Sequence, residues 1–103
     1  NKYYAIEQMV NQWAWRNPVD TAKWLNQFPP SEKLDPAIDN FARRIMHKEP
    51  AKAANWAHSL VNEKRRNKSL AEVLKNWKKQ NPDEAETWAR VNALDLAEEE
   101  VGN

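Results

Sequence analysis

The chain has 103 residues, the size of one domain, and 30% of them are charged. It contains six tryptophans, and that much large apolar surface argues against a disordered chain. It contains no cysteine, which excludes disulfides, thiolate metal sites and thiol nucleophiles, and no apolar run near the ~20 residues needed to cross a bilayer. We therefore expect a single folded domain, residues 1–103, with no membrane-spanning segment.

The formal net charge is +1, but it is unevenly distributed along the chain. Residues 1–42 carry a net charge of −1, residues 43–79 a net charge of +8, and residues 80–103 a net charge of −6. The middle of the chain is therefore a basic block, and the end is an acidic one.

A sequence repeat of 32 residues sets the order of the predicted elements. It gives three copies at about residues 1–31, 32–63 and 64–97, followed by an acidic end at 98–103. In each copy, apolar residues at i, i+3, i+4 and i+7 predict a first helix with one apolar face. These columns hold Ile6, Met9, Val10 and Trp13 in copy one, Ile38, Phe41, Ala42 and Ile45 in copy two, and Leu70, Val73, Leu74 and Trp77 in copy three.

Each copy then predicts a second helix, which begins at Pro18, Pro50 or Pro82. Proline suits the first helical position because its missing N–H costs nothing there. The segments 29–31 and 62–68 are predicted linkers between copies. Asp35 is the predicted N-cap of the third helix, Ser69 to Glu72 is a capping box predicted to start the fifth, and Gly102 can cap the last. The predicted fold class is all-α, an α-solenoid of three helix-turn-helix repeats with about six antiparallel helices.

The repeat unit resembles a bacterial family of Trp-containing helical repeats, with the pattern D-P-x-x-A-x-x-W, a spacer, and R-x-x-x-L-x-x-V-x-x-W. It is also similar to tetratricopeptide (TPR) and HEAT repeats. The resemblance covers about residues 6 to 97 and is carried best by Glu49-Pro50, Ala53, Trp56, Arg66, Leu70, Val73, Trp77, Asn81-Pro82, Ala85 and Trp88. It implies a right-handed stack of helix pairs that acts as a scaffold or docking surface, without naming a partner.

The tryptophans fall into two groups. Five occupy repeat columns and are predicted to be core: Trp13, Trp24, Trp56, Trp77 and Trp88. Trp15 shares its column with His47 and Lys79, which are not core residues. Trp15 is either an exposed anchor for a partner or packs against the terminal helix pair or a preceding repeat. With Trp13, it also makes self-association of the chain an open possibility.

The non-core columns of the first helices form a basic stripe, which stacking would make continuous. Residues 64–66 add a predicted basic loop. Three interpretations stay open: a solvated face offset by the acidic end, a docking surface for an acidic protein or peptide segment, and a surface that follows a nucleic-acid backbone. The candidate partner-binding residues are Trp15, Arg43, Arg44, His47, Lys48, Lys75 and Lys79.

The sequence lacks the motifs of catalysis: it has no Gly-rich phosphate loop, no H-E-x-x-H and no serine elbow. His47 and His58 lie in polar or mixed columns and are predicted to be exposed, and the consecutive Glu98, Glu99 and Glu100 would fan out around a helix. We therefore expect that the protein is not an enzyme and that it binds no cofactor and no metal ion. The leading predicted function is protein–protein interaction or scaffolding, and the alternative is nucleic-acid binding.

Overall fold

The structure, a computed structural model, describes residues 1–92. This part of the chain is all-α, with six helices and no strand. The predicted cap at Gly102, the acidic end 98–103 and the carboxylates Glu98 to Glu100 lie outside the described residues. The helices are α1 (Lys2–Trp13), α2 (Pro18–Leu25), α3 (Asp35–Ile45), α4 (Pro50–His58), α5 (Glu63–Gln80) and α6 (Pro82–Asn92).

The second helices begin where the sequence predicts them, at the three repeated prolines. The residue before each proline leaves the helical region, as steric contact with the proline ring requires, with φ/ψ of −150/69° at Asn17 and −130/65° at Glu49. The side-chain oxygen of Asn17 accepts the N–H of Asp20, which satisfies a free donor of the first turn. The Asn-Pro and Glu-Pro pairs therefore start the second helices, and a short turn separates α1 and α3 from their pairs, whereas α5 ends directly before Asn81-Pro82.

The start of α5 is a correction to the sequence prediction. The polar segment 62–68 is not a linker, because α5 begins at Glu63 and the side chain of Asn62 caps it by accepting the N–H of Arg65. Ser69 is therefore inside the helix, fully buried, rather than at its start. Charged Lys and Arg side chains are good helix formers that need no apolar face, so helix forms here without the expected periodicity.

Asp35 is also placed differently from its prediction. It is the first residue of α3, after Leu34 at the N-cap position, and its carboxylate does not cap its own helix. Instead it is 1% exposed and accepts the backbone N–H groups of Val61 and Asn62, at 2.9 and 2.8 Å. Asp35 thus ties the start of α3 to the loop before α5.

The first helices of the three copies lie side by side and run in the same direction. Between α1 and α3, Asn40 donates to Glu7 at 3.0 Å, and one turn further along both helices Arg44 donates to Asn11. Between α3 and α5, Ser69 donates to Asp39 at 2.7 Å. The second helices α4 and α6 are joined by a hydrogen bond of 2.9 Å from the Trp88 indole N–H to Asn55. The C-terminal ends of α1, α3 and α5 are therefore at the same end of the molecule.

The core follows the predicted columns, except that Met9 and Trp13 in the first copy are exposed. Phe41, Ala42, Val73 and the other column residues of α3 and α5 are buried, apart from the half-buried Leu74. Among the column tryptophans, Trp77 and Trp88 are buried, and Trp24 and Trp56 are partly buried against the core. Trp13 is 40% exposed, so its prediction as a core residue is wrong. Its ring meets Trp24 edge to face, with centroids 5.9 Å apart, but one side of α1 has no neighbouring helix among the described residues.

Candidate docking surface

The candidate surface lies at the common C-terminal end of α1, α3 and α5. Three of the predicted residues, Trp15, His47 and Lys48, are in the turns that follow α1 and α3 rather than on the helices themselves. Lys79 lies in the last turn of α5. Because the three first helices are parallel, these turns come to one edge, which we call the turn edge. It consists of Trp15, Arg16, His47, Lys48, Lys78 and Lys79, all of them exposed.

Trp15 is the outstanding feature of the turn edge. Its side chain is 70% exposed, the highest exposure among the six tryptophans of the chain. Tryptophan carries a large apolar surface that is stabilised only when something covers it. The Trp15 side chain thus offers an apolar anchor beside a group of cations.

Arg43 belongs to the fold rather than to the free surface. Its Nε donates to Asp39 at 2.9 Å, and its Nη1 forms an ion pair with Glu72 of α5. Partial burial acts to lower the pKa of the Arg43 guanidinium, but the opposite charges and hydrogen bonds of Asp39 and Glu72 outweigh it and raise this pKa above its usual value. Arg43 therefore holds α3 to α5, and its charge is already compensated.

Unlike Arg43, the other predicted cations form no ion pair with a carboxylate among residues 1–92. Within residues 1–92 the ion pairs are Arg43–Asp39, Arg43–Glu72 and Arg65–Asp39. In this part of the chain Arg44, Lys48, Lys75 and Lys79 therefore have no carboxylate partner, and all four are exposed. Arg44 donates only to the neutral amide oxygen of Asn11. The surface thus keeps positive charge that a partner could neutralise.

The predicted basic loop 64–66 is instead the first turn of α5, where it lines a polar depression of about 460 Å³. Its floor is formed by the two buried carboxylates, Asp35 and Asp39, and its rim carries Lys64, Arg65 and Lys68. Asp39 already accepts hydrogen bonds from Arg43, Arg65 and Ser69. The depression is therefore an internally compensated polar cluster between α3 and α5.

Sequence reasoning missed this cluster. Asp39 shares its column with Glu7 and Ala71, so the repeat gave no sign that it is buried. The one available signal was the spacing of Asp39 and Arg43, four residues apart on a helix, which places an acid and a base on the same face.

Neither histidine belongs to a group that could act as a metal site. Over residues 1–92, no three His, Cys, Asp or Glu side chains are arranged to hold a metal ion. His47 and His58 are both exposed, and the His58 ring meets Trp88 edge to face at 5.7 Å. None of the helices in these residues is both long and apolar enough to cross a membrane.

Comparison with known proteins finds no match for this chain among protein-family models, curated proteins or solved structures.

Replacing Arg43 and Arg44 by alanine one at a time tests whether Arg43, and not Arg44, stabilises the fold. We expect Arg43→Ala to lower the free energy of unfolding by about 1–2 kcal/mol, because Glu72 loses its ion-pair partner and the buried Asp39 loses one of its three donors. Arg44→Ala removes an exposed contact and should cost at most about 0.5 kcal/mol. Urea denaturation followed by circular dichroism measures both values. Equal losses in the two variants would contradict the distinct positions of the two side chains.

Proposed function

We propose that the chain is a protein-docking module, an α-solenoid of three TPR/HEAT-like repeats that binds an acidic segment of a partner protein along its turn edge and the adjoining first helices. The parallel first helices and their repeated buried columns support the solenoid arrangement. Its resemblance to Trp-containing helical repeats agrees with a scaffolding role. In this proposal the site consists of Trp15, Arg44, His47, Lys48, Lys75 and Lys79, and Arg43 supports it from within.

Charge alone does not distinguish a docking surface from a solvated face. Cations near the C-terminal ends of helices interact favourably with the helix dipole, so Lys48 and Lys79 also have a purely structural use. The observation that carries the proposal is Trp15, whose exposed indole gains nothing from solvent or from the dipole. Interfaces are enriched in tryptophan and derive much of their binding energy from such anchors.

The same considerations favour a protein partner over a nucleic acid. Proteins that bind single strands stack successive bases on several aromatic side chains within a basic groove. Here one aromatic residue, Trp15, stands at one end of the basic surface, and the net charge of the chain is only +1. A peptide with acidic residues and one apolar side chain matches this arrangement better.

The test is a charge reversal with a matched control. Arg44→Glu, Lys48→Glu and Lys79→Glu together should weaken binding of a fluorescein-labelled Glu-Glu-Leu repeat peptide at least about tenfold, measured by fluorescence anisotropy, because attraction becomes repulsion. The control reverses Lys33, Lys64 and Lys68, which are exposed and lie near the N-terminal ends of α3 and α5, away from the turn edge. It changes the net charge by the same amount and should bind like the unaltered chain.

Two further measurements decide between the interpretations. Trp15→Ala should also weaken peptide binding about tenfold, whereas a purely electrostatic contact would not respond to it. Equal weakening by the two triple variants would reduce the proposal to non-specific attraction. Tighter binding of a labelled single-stranded oligonucleotide, with an affinity that falls steeply as salt rises, would replace it with the nucleic-acid alternative.

A further inference from the structure

The side of α1 that carries Ala5, Met9 and Trp13, which we call its outer side, is more exposed than the equivalent sides of α3 and α5. Met9 is 37% exposed, whereas Phe41 and Val73, its equivalents in the next copies, are 1% and 0% exposed. Trp13 and Tyr4 on the same helix are also exposed. Ala5 is exposed, and its equivalents Ala37 and Ser69 are buried.

The columns of Ala5, Met9 and Trp13 are buried in copies two and three because the preceding first helix covers them. At the α3–α5 seam, the contact between Ser69 and Asp39 at 2.7 Å brings the column of Ala5, Ala37 and Ser69 against that of Glu7, Asp39 and Ala71. At the α1–α3 seam Asn40 contacts Glu7 instead, so the two seams join the same sides of the helices in different registers. The outer side of α1 is therefore one half of an interface that the chain already forms twice, between α1 and α3 and between α3 and α5.

At the opposite end of the row, no helix among residues 1–92 covers the other half of this interface. Ala71 of α5, equivalent to the buried Asp39, is exposed. Leu74 is half-buried, although its equivalents Val10 and Ala42 are both 0% exposed. One chain thus presents both complementary sides, the first on α1 and the second on α5.

We propose that the outer side of α1 binds the outer side of α5 of a second copy of this chain, so that copies stack head to tail. The inference rests on the proposed solenoid arrangement but not on the acidic partner. In the register of the α3–α5 seam, Ala71 of one copy meets Ala5 of the next, and two alanines allow close approach of the helices. Lys75 then meets Gln8 as Arg43 meets Glu72, and the side-chain oxygen of Gln8 accepts a hydrogen bond in place of the ion pair.

The side chains on α1 fit a copy of this chain better than they fit an acidic or basic partner. Tyr4, Gln8, Met9, Gln12 and Trp13 carry no charge, and the one charged side chain of α1 on this side is Lys2 in the first turn, so most of the side neither repels nor selects a charged segment. A head-to-tail contact uses different surfaces on the two copies and does not close on itself. The association should therefore continue beyond a dimer as the concentration rises.

The experiment uses three substitutions of exposed alanines by arginine, each of which adds the same charge to a helix. Ala5→Arg blocks the α1 side, Ala71→Arg blocks the α5 side, and Ala51→Arg on α4 is the control, in a column exposed in all three copies. Analytical ultracentrifugation from micromolar to millimolar concentration should show the weight-average mass of the unaltered chain and of Ala51→Arg rising past that of a dimer. Ala5→Arg and Ala71→Arg should each stay monomeric, with the association constant reduced at least about tenfold.

A mixture of the two blocked variants gives the sharpest result. Each has one open side left, so Ala5→Arg with Ala71→Arg should form a one-to-one dimer that grows no further. A monomeric unaltered chain at millimolar concentration, or dimers of Ala71→Arg alone, would overturn the proposal. Circular dichroism checks that each variant is folded. Peptide binding measured on the Ala5→Arg monomer tests the docking function separately, since the turn edge is intact there.

Discussion

Phe41→Ala is expected to cost the domain a large part of its stability. The Phe41 side chain is 1% exposed and meets Trp56 edge to face, with ring centroids 5.4 Å apart, so its truncation leaves a cavity in the packing of α3 against α4. Such substitutions cost about 3–5 kcal/mol, a large fraction of the about 5–15 kcal/mol by which domains are stable. Urea denaturation followed by tryptophan fluorescence measures the loss.

The matched control for Phe41 is the residue in the same column one copy earlier. Met9→Ala truncates a side chain that is 37% exposed, so we expect a loss of only about 1 kcal/mol. A loss at Met9 as large as that at Phe41 would mean that the outer side of α1 is covered in the monomer. That result would also remove the basis for head-to-tail stacking.

The 32-residue period explains why much of the fold could be predicted from the sequence. Each proline that starts a second helix, and each apolar column from Ile38 to Ile45, is a local signal that recurs three times. Averaging over three copies makes such a signal much stronger than it is in one. The same averaging caused the error at Trp13, because a column shared by three copies does not record that, among residues 1–92, no helix covers this side of the first copy.

The parts of the site that could not be predicted depend on contacts between copies. Arg43 and Glu72 are 29 residues apart, and only the packing of α3 against α5 brings them together. The sequence placed Arg43 in a basic stripe because its column mates, Asn11 and Lys75, are polar. Trp15 could be singled out, because its departure from the core pattern is visible in its column, but its exposure required the structure.

Asp35→Ala should give the second large loss, about 3 kcal/mol in the free energy of unfolding. The carboxylate accepts two backbone N–H groups, those of Val61 and Asn62, and its removal leaves both donors without a partner in a partly buried loop. Asp35→Asn keeps one acceptor oxygen and should lose about half as much. Urea denaturation gives the free energies, and hydrogen exchange at the amides of Val61 and Asn62 should accelerate in step with them.

The comparison for Asp35 is Glu32→Ala, an exposed carboxylate three residues earlier, which should change stability by at most about 0.5 kcal/mol. If Asp35→Ala costs no more than this, Asp35 does not anchor the loop before α5. If it costs what we expect, its effect should extend to the proposed docking surface, because this loop fixes where α5 starts relative to α3. Lys75 and Lys79 are carried on α5, so a loosened loop should weaken binding of the acidic peptide even though Asp35 is far along the helices from the turn edge.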